Sequence, residues 1–136
     1  MVPSLSKDEL TTIVNTTSSS SGSNITLVAG ETIGGNRVVG VQADGKAYYV
    51  NQSNATCRDA IGLTTGAANI GMPVVIQTDG ILTEPSWTWA ASLPIWLANT
   101  GQLTQALPTT GYLFQIGTPI GPTKMRIEPQ LILRIT

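Results

Sequence analysis

A chain of 136 residues with 41% apolar content can bury one modest core and is too short for a second full domain. Seven basic against eight acidic residues leave a formal charge of -1, and charged residues make up only 11%, where an ordinary soluble globule carries about a quarter. With no basic cluster, nucleic-acid binding lacks the grouped Lys and Arg that phosphate contacts need, and the neutral polar surface suits an assembled structural protein better than a monomer kept in solution by repulsion.

Residues 1–23 read as an N-terminal arm. Leu5 to Val14 places Ser6 three residues before Glu9, the spacing of a capping box, with Leu5, Leu10, Ile13 and Val14 as a short apolar stripe that allows one or two helical turns. Asn15 to Ser23, NTTSSSSGS, is low-complexity linker that cannot bury enough surface to offset its ordering entropy. From Asn24 the pattern changes to strands separated by turn signals, as in an all-β barrel or sandwich. Ile25 to Ala29 is the first strand. Arg37 to Gln42 pairs with Ala47 to Val50 through Asp44-Gly45, a strong hairpin signal. Asn51 to Asp59 is a polar loop, and Ala60 to Thr65 is the next strand.

The stretch from Gly71 to Leu97 organises the remainder. Met72 to Thr78 is rich in residues that fit a pleated sheet; Asp79-Gly80 then predicts a turn, with Ile81-Leu82-Thr83 returning beside it as a hairpin. All three tryptophans follow, in a chain with three Tyr and one Phe besides. Trp87 and Trp89, two apart, share a face if the segment is extended, and Trp96 lies in the apolar run Leu93 to Leu97. Pro94 to Ala98 reads as a strand turned by Asn99 to Gln102 into Leu103 to Gln105. Tyr112, Phe114 and Ile116 share one face of a strand. In Thr123 to Glu128, Met125 and Ile127 face inward while Lys124, Arg126 and Glu128 face out. Pro129 is expected to stop that strand, leaving Leu131 to Ile135 to add a final strand or to dock on a neighbour.

The chain has no histidine, which removes imidazole general bases, Ser-His-Asp and Cys-His nucleophiles and most zinc sites. The lone Cys57 cannot form an intrachain disulfide, and a small buried apolar role suits it better than a reactive thiol beside Arg58. Glu31, Asp44, Asp59, Asp79, Glu84 and Glu128 lie in or beside turns, where carboxylates are solvated or cap backbone; Asp79 and Glu84, flanking a turn near Trp87, are the one pair that merits a test as a glycosidase couple. Gly30 to Gly35, GETIGG, has a superficial likeness to a phosphate loop but lacks its fingerprint and following helix, so it reads as a turn. No run of about 20 apolar residues and no charged-then-apolar leader after Met1 are present, so neither a membrane span nor a secretory signal is expected. No catalytic residue, cofactor or metal is expected.

Gly30-Glu31, NRVVGVQADGKAYY from Asn36 to Tyr49, Ala60 to Ala68, Val74 to Gly80, Trp87-Thr-Trp89, Pro94 to Leu97, Thr100 to Gln105 and Pro108 to Tyr112 form an ordered run of strand and turn phrases. Between about Gly30 and Ile127 this run resembles a β module of tailed-bacteriophage structural proteins, found in small capsid cement or head-decoration proteins and also within tail-fibre proteins. The resemblance implies a virion protein on the outer capsid surface that binds the major capsid protein, with no catalytic residues to carry over. It also implies threefold placement, hence a homotrimer.

The resulting expectation is an all-β domain over residues 24–136, a small antiparallel β-barrel or sandwich, with an extended N-terminal arm over residues 1–23. Candidate contacts with capsid or sister subunits are Leu5, Leu10, Ile13 and Val14 of the arm, Trp87, Trp89 and Trp96, and Leu131, Ile132 and Leu133. The alternative is a tail-fibre or spike-associated receptor-binding module, in which exposed Trp87 and Trp89 stack on sugar rings.

Overall fold

The computed structural model describes residues 20–53 and 59–135. The arm candidates Leu5, Leu10, Ile13 and Val14, the capping-box pair Ser6 and Glu9, and Cys57 lie outside the described residues. The fold is all-β. Its strands are β1 (Ser20–Ser21), β2 (Asn24–Val28), β3 (Val38–Val41), β4 (Ala47–Tyr49), β5 (Ala60–Thr64), β6 (Pro73–Gln77), β7 (Gly80–Thr83), β8 (Ile95–Leu97), β9 (Leu103–Thr104), β10 (Gly111–Gly121) and β11 (Lys124–Ile135), with a 3-10 turn at Asn99–Gly101. No α-helix occurs among the described residues.

The strands form two antiparallel sheets, one of six strands in the order β1-β7-β11-β10-β8-β9 and one of five in the order β2-β6-β5-β3-β4, an arrangement consistent with a β-sandwich. The main core unites them: Val38, Val50 and Leu63 from the five-stranded side meet Leu82, Ile95, Leu97, Phe114, Ile116, Met125 and Ile127 from the other. A second core of Ala29, Ile33, Val39, Ala47, Val74 and Ile76 involves the opposite face of the five-stranded sheet. Adjacent residues Val38 and Val39 thus enter different cores, because successive side chains on a strand point to opposite faces. A strand apolar on both faces reads as a continuous apolar run, and VVGV in β3 is such a run.

The five-stranded sheet curls around its second core. Although β2 and β4 stand at opposite ends of its order, Ala29 just beyond β2 bridges Ala47 of β4, and the Gly30 N–H donates to the Ala47 carbonyl at 2.8 Å. Gly30 has no room for a side chain there: a Cβ would lie 2.2 Å from the Tyr48 ring. This is one bridge and not a ladder, and no continuous pairing among the described residues closes a barrel.

Several predicted strands form as expected. β3 and β4 pair across Asp44-Gly45, where Gly45 takes φ +78. β8 pairs with β9, and Met125 and Ile127 are buried between exposed Lys124, Arg126 and Glu128. Three expectations are corrected. Asp79-Gly80 does not close a hairpin: β6 pairs with β2 and β5, whereas β7 pairs with β1 and β11, so the chain crosses from one sheet to the other here. Both edges of β6 are already occupied, and no place is left for β7 beside it. Ser20 to Ser23 is not free linker, since β1 pairs with β7 and Ser23 accepts the Thr78 N–H at 2.8 Å while its own N–H donates to Asp79 Oδ1 at 2.7 Å. Pro129 does not end its strand. β7 stops pairing at Ile127, so Pro129 withholds its missing N–H from no strand on that side, and the β10–β11 ladder absorbs an extra residue between Ile127 and Gln130.

The sheet crossing is fastened by Gln77, a fully buried side chain whose Nε2 donates to the carbonyls of Asp79 at 2.9 Å and Ile81 at 3.1 Å. Gly80 takes φ +87, a left-handed conformation that a side chain would strain. Gln77→Ala strips two carbonyls of their donor and leaves a void, and we expect it to cost about 2–4 kcal/mol. A fall in the urea unfolding midpoint measures that loss; an unchanged midpoint contradicts the clamp.

Candidate functional site

The segment after β7 is tied to the β10–β11 turn. Glu84 N–H donates to the Thr123 carbonyl at 2.9 Å and Trp89 N–H to the Pro122 carbonyl at 2.8 Å, while Trp87 N–H turns back on the Glu84 carbonyl at 3.0 Å. This brings the Trp87 and Trp89 rings together, with centroids 5.2 Å apart and planes tilted by 48°, a favourable aromatic geometry. Both are half-buried and pack against the main core; they are neither a free sugar platform nor fully enclosed. Trp96 sits in β8 at 9% exposure and offers a partner little surface.

Beside Trp89 lies an open pocket of about 350 Å³, lined also by Ala91, Ser92, Pro119, Ile120 and Pro122. The Trp89 indole Nε1 is buried without an acceptor among the described residues. Gln105 holds the loop that contributes Ala91 and Ser92: its Oε1 accepts the Ala90 N–H at 2.9 Å, and its Nε2 donates to the carbonyls of Ala90 and Leu93, each at 2.9 Å.

Leu131, Ile132 and Leu133 are 42%, 44% and 48% exposed on β11. They pair with β10 on one side, where a register shift between Leu113 and Phe114 makes Ile132 the extra residue. The bulge breaks strict alternation, so that three consecutive apolar residues meet solvent. Other large apolar side chains are exposed in connecting segments, among them Ile70, Met72, Leu93 and Leu107.

The carboxylates serve the backbone. Asp79 caps Ser23, and Glu84 accepts from the Ser86 N–H and hydroxyl and from Asn36 Nδ2 at 3.1 Å, so each has its own partners and the two form no shared couple through them. The Ser86 hydroxyl above all, then its N–H and the Asn36 amide, hold the Glu84 carboxyl below its ordinary range. Asp44 is lowered chiefly by the Tyr48 hydroxyl, 2.6 Å away, then by the Lys46 N–H, and Tyr48 is raised by the same bond. No group of three His, Cys, Asp or Glu that could hold a metal occurs among the described residues. The residues that shape this region but escape sequence reasoning are Gln77, Gln105 and Asn36. Only Gln77 leaves a signal, as the sole polar residue in the apolar run of β6.

Two expectations follow. Trp96→Ala should cost about 3–5 kcal/mol and Trp87→Ala, from a half-buried site, about 1–3 kcal/mol in urea unfolding, whereas equal losses would contradict these placements. For Glu84, a carboxyl lowered in the folded state stabilises above its ordinary unfolded value, and that contribution is lost as pH falls through the lower folded value. Unfolding midpoints of Glu84→Gln should therefore lie below those of the parent at neutral pH and converge with them in acid; a gap that widens on acidification would refute the linkage.

Neither a family model nor a curated protein matches this chain.

Proposed function

We propose that this chain is a phage capsid decoration protein: a two-sheet sandwich domain, preceded by an arm, that acts as a homotrimer and caps a junction between major capsid subunits. The observation that carries the reading is apolar surface placed where it serves no core. Ile70, Met72, Leu93 and Leu107 are exposed in connecting segments of a chain with only 11% charged residues, which suits a lattice partner that covers them. The ordered resemblance between Gly30 and Ile127 points the same way. A cement needs no reaction centre. It binds the assembled lattice in preference to free subunits and raises the temperature or force at which the shell opens. Three linked contacts give high effective concentration at the lattice, so modest affinity per copy is enough.

The pocket beside Trp89 favours one rival, a receptor-binding module that holds a glycan ring against the indole. Against it, Trp87 and Trp89 spend much of their area on the core. Purified protein mixed with undecorated capsids and, separately, with host cells decides between them. Saturable capsid binding that weakens sharply when residues 1–19 are removed is the expected result. Truncation at that point spares β1 and the Ser23 clamp. Binding to cells and never to capsids would overturn the reading in favour of the rival.

A further inference from the structure

β11 is the longest strand among the described residues, and its two edges are unequally used. Along one edge it pairs with β10 from Lys124 to Ile135, while along the other β7 reaches only from Lys124 to Ile127. From Glu128 onward the second edge has no strand beside it among the described residues, an open length of eight residues or about 26 Å. Leu131, Ile132 and Leu133 are exposed along this open length. An exposed apolar edge is a template for another strand, and working proteins cover it.

We propose that the occupant is the arm of an adjacent copy, with its segment Leu10 to Thr17 added as a strand along β11 beyond Pro129, which has no N–H to donate to it. Three observations favour it. Although the Leu5 to Val14 stripe allows a helical turn, LTTIVNTT carries six β-branched residues in eight, and such residues favour a strand where an open edge is offered. The same eight residues are uncharged, as is the Gln130 to Leu133 centre of an edge whose charges, Glu128 and Arg134, lie toward its two ends. The third is direction. Ser20 stands opposite Leu82 and Ser21 opposite Ile81, while Leu82 and Ile81 stand opposite Met125 and Arg126. Followed from Ser21 back to Ser20, β1 therefore runs toward the β10–β11 turn, away from Leu131. To cover its own edge the arm would have to reverse across the sheet. With 19 residues before Ser20, each spanning up to about 3.3 Å, a neighbouring copy is within reach. Arm to edge is a head-to-tail contact, and such contacts close into rings when the rotation permits. The inference deepens the threefold part of the proposed function and does not depend on capsid binding.

The test uses the full chain in a Cys57→Ser background. One protein carries Ile13→Cys, a second carries Ile132→Cys, and the two are mixed and oxidised; a third carries both substitutions. The expected result is a covalent pair between the first two, together with interchain products from the third. The uncross-linked parent should have a trimer mass by light scattering, and removal of residues 1–19 should lower it threefold. Ile132→Lys, which places a charge on the edge, should lower the mass likewise without shifting the unfolding midpoint. Cross-links confined within one chain of the double variant would overturn the proposal in favour of a self-covered edge. A product from the Ile132→Cys protein alone, with no pair between the two proteins in the mixture, would replace it with edge-to-edge pairing. Absence of every cross-link, with a mass indifferent to the arm, also overturns it. If cross-links fail while arm removal still weakens capsid binding, the arm belongs to the lattice and the decoration reading stands. Cross-links without capsid binding would instead uphold the arm-to-edge contact and remove the decoration reading.

Discussion

The fold depends on how the chain leaves one sheet and enters the other between Gln77 and Ile81. A backbone that crosses between sheets gives up ladder partners, and its carbonyls need donors from elsewhere. Gln77 supplies them from a side chain wholly removed from solvent. With that crossing fixed, β6 stays between β2 and β5 in the five-stranded sheet and β7 is delivered to β11. The same corner receives Ser23 through Asp79, so β1 and the start of the arm are positioned by it as well.

Neutral amides recur at the other joints. Gln105 secures the loop from Ala90 to Leu93, Asn36 reaches Glu84 across the fold, and the Asn51 side chain accepts the N–H of Thr100. An amide both donates and accepts, so it can satisfy stray backbone groups on a loop without the desolvation cost of an ion. This accounts for a chain that organises two cores with few charges.

Much of the strand layout is legible in the sequence because alternation and turn chemistry are local. Val38 to Val41 with Ala47 to Tyr49 around Asp44-Gly45, and the buried Met125 and Ile127, follow from side-chain period and from a glycine with positive φ. Partner choice is not local. Asp79-Gly80 has the composition of a hairpin turn, but whether Ile81 returns beside Ile76 depends on β2 and β5, which claim both edges of β6. Pro129 departs from expectation for a related reason: proline interrupts a strand only where a partner needs its N–H, and how far β7 extends cannot be read at position 129. Of the candidate surface, the apolar run Leu131 to Leu133 is legible in the sequence, whereas its exposure comes from a bulge against β10. The half-burial of Trp87 and Trp89 is not legible either, since it arises from backbone bonds to Pro122 and Thr123 about 35 residues away.

The far end of the β10–β11 ribbon has a mechanical character of its own. The Tyr112 N–H on β10 donates to the Gln52 carbonyl at 2.7 Å, so that strand is braced from outside, while β11 at the same level pairs with no strand but β10 among the described residues. A load applied along the axis of β11 would be shared by many ladder bonds at once and resisted in shear. A load applied across it would meet those bonds singly, peeling the strand from Ile135 inward until it reached Ile127, where β7 takes hold. Rupture under tension is governed by the unfolding rate rather than by equilibrium stability, so the angle at which anything grips this strand matters as much as how tightly it does so.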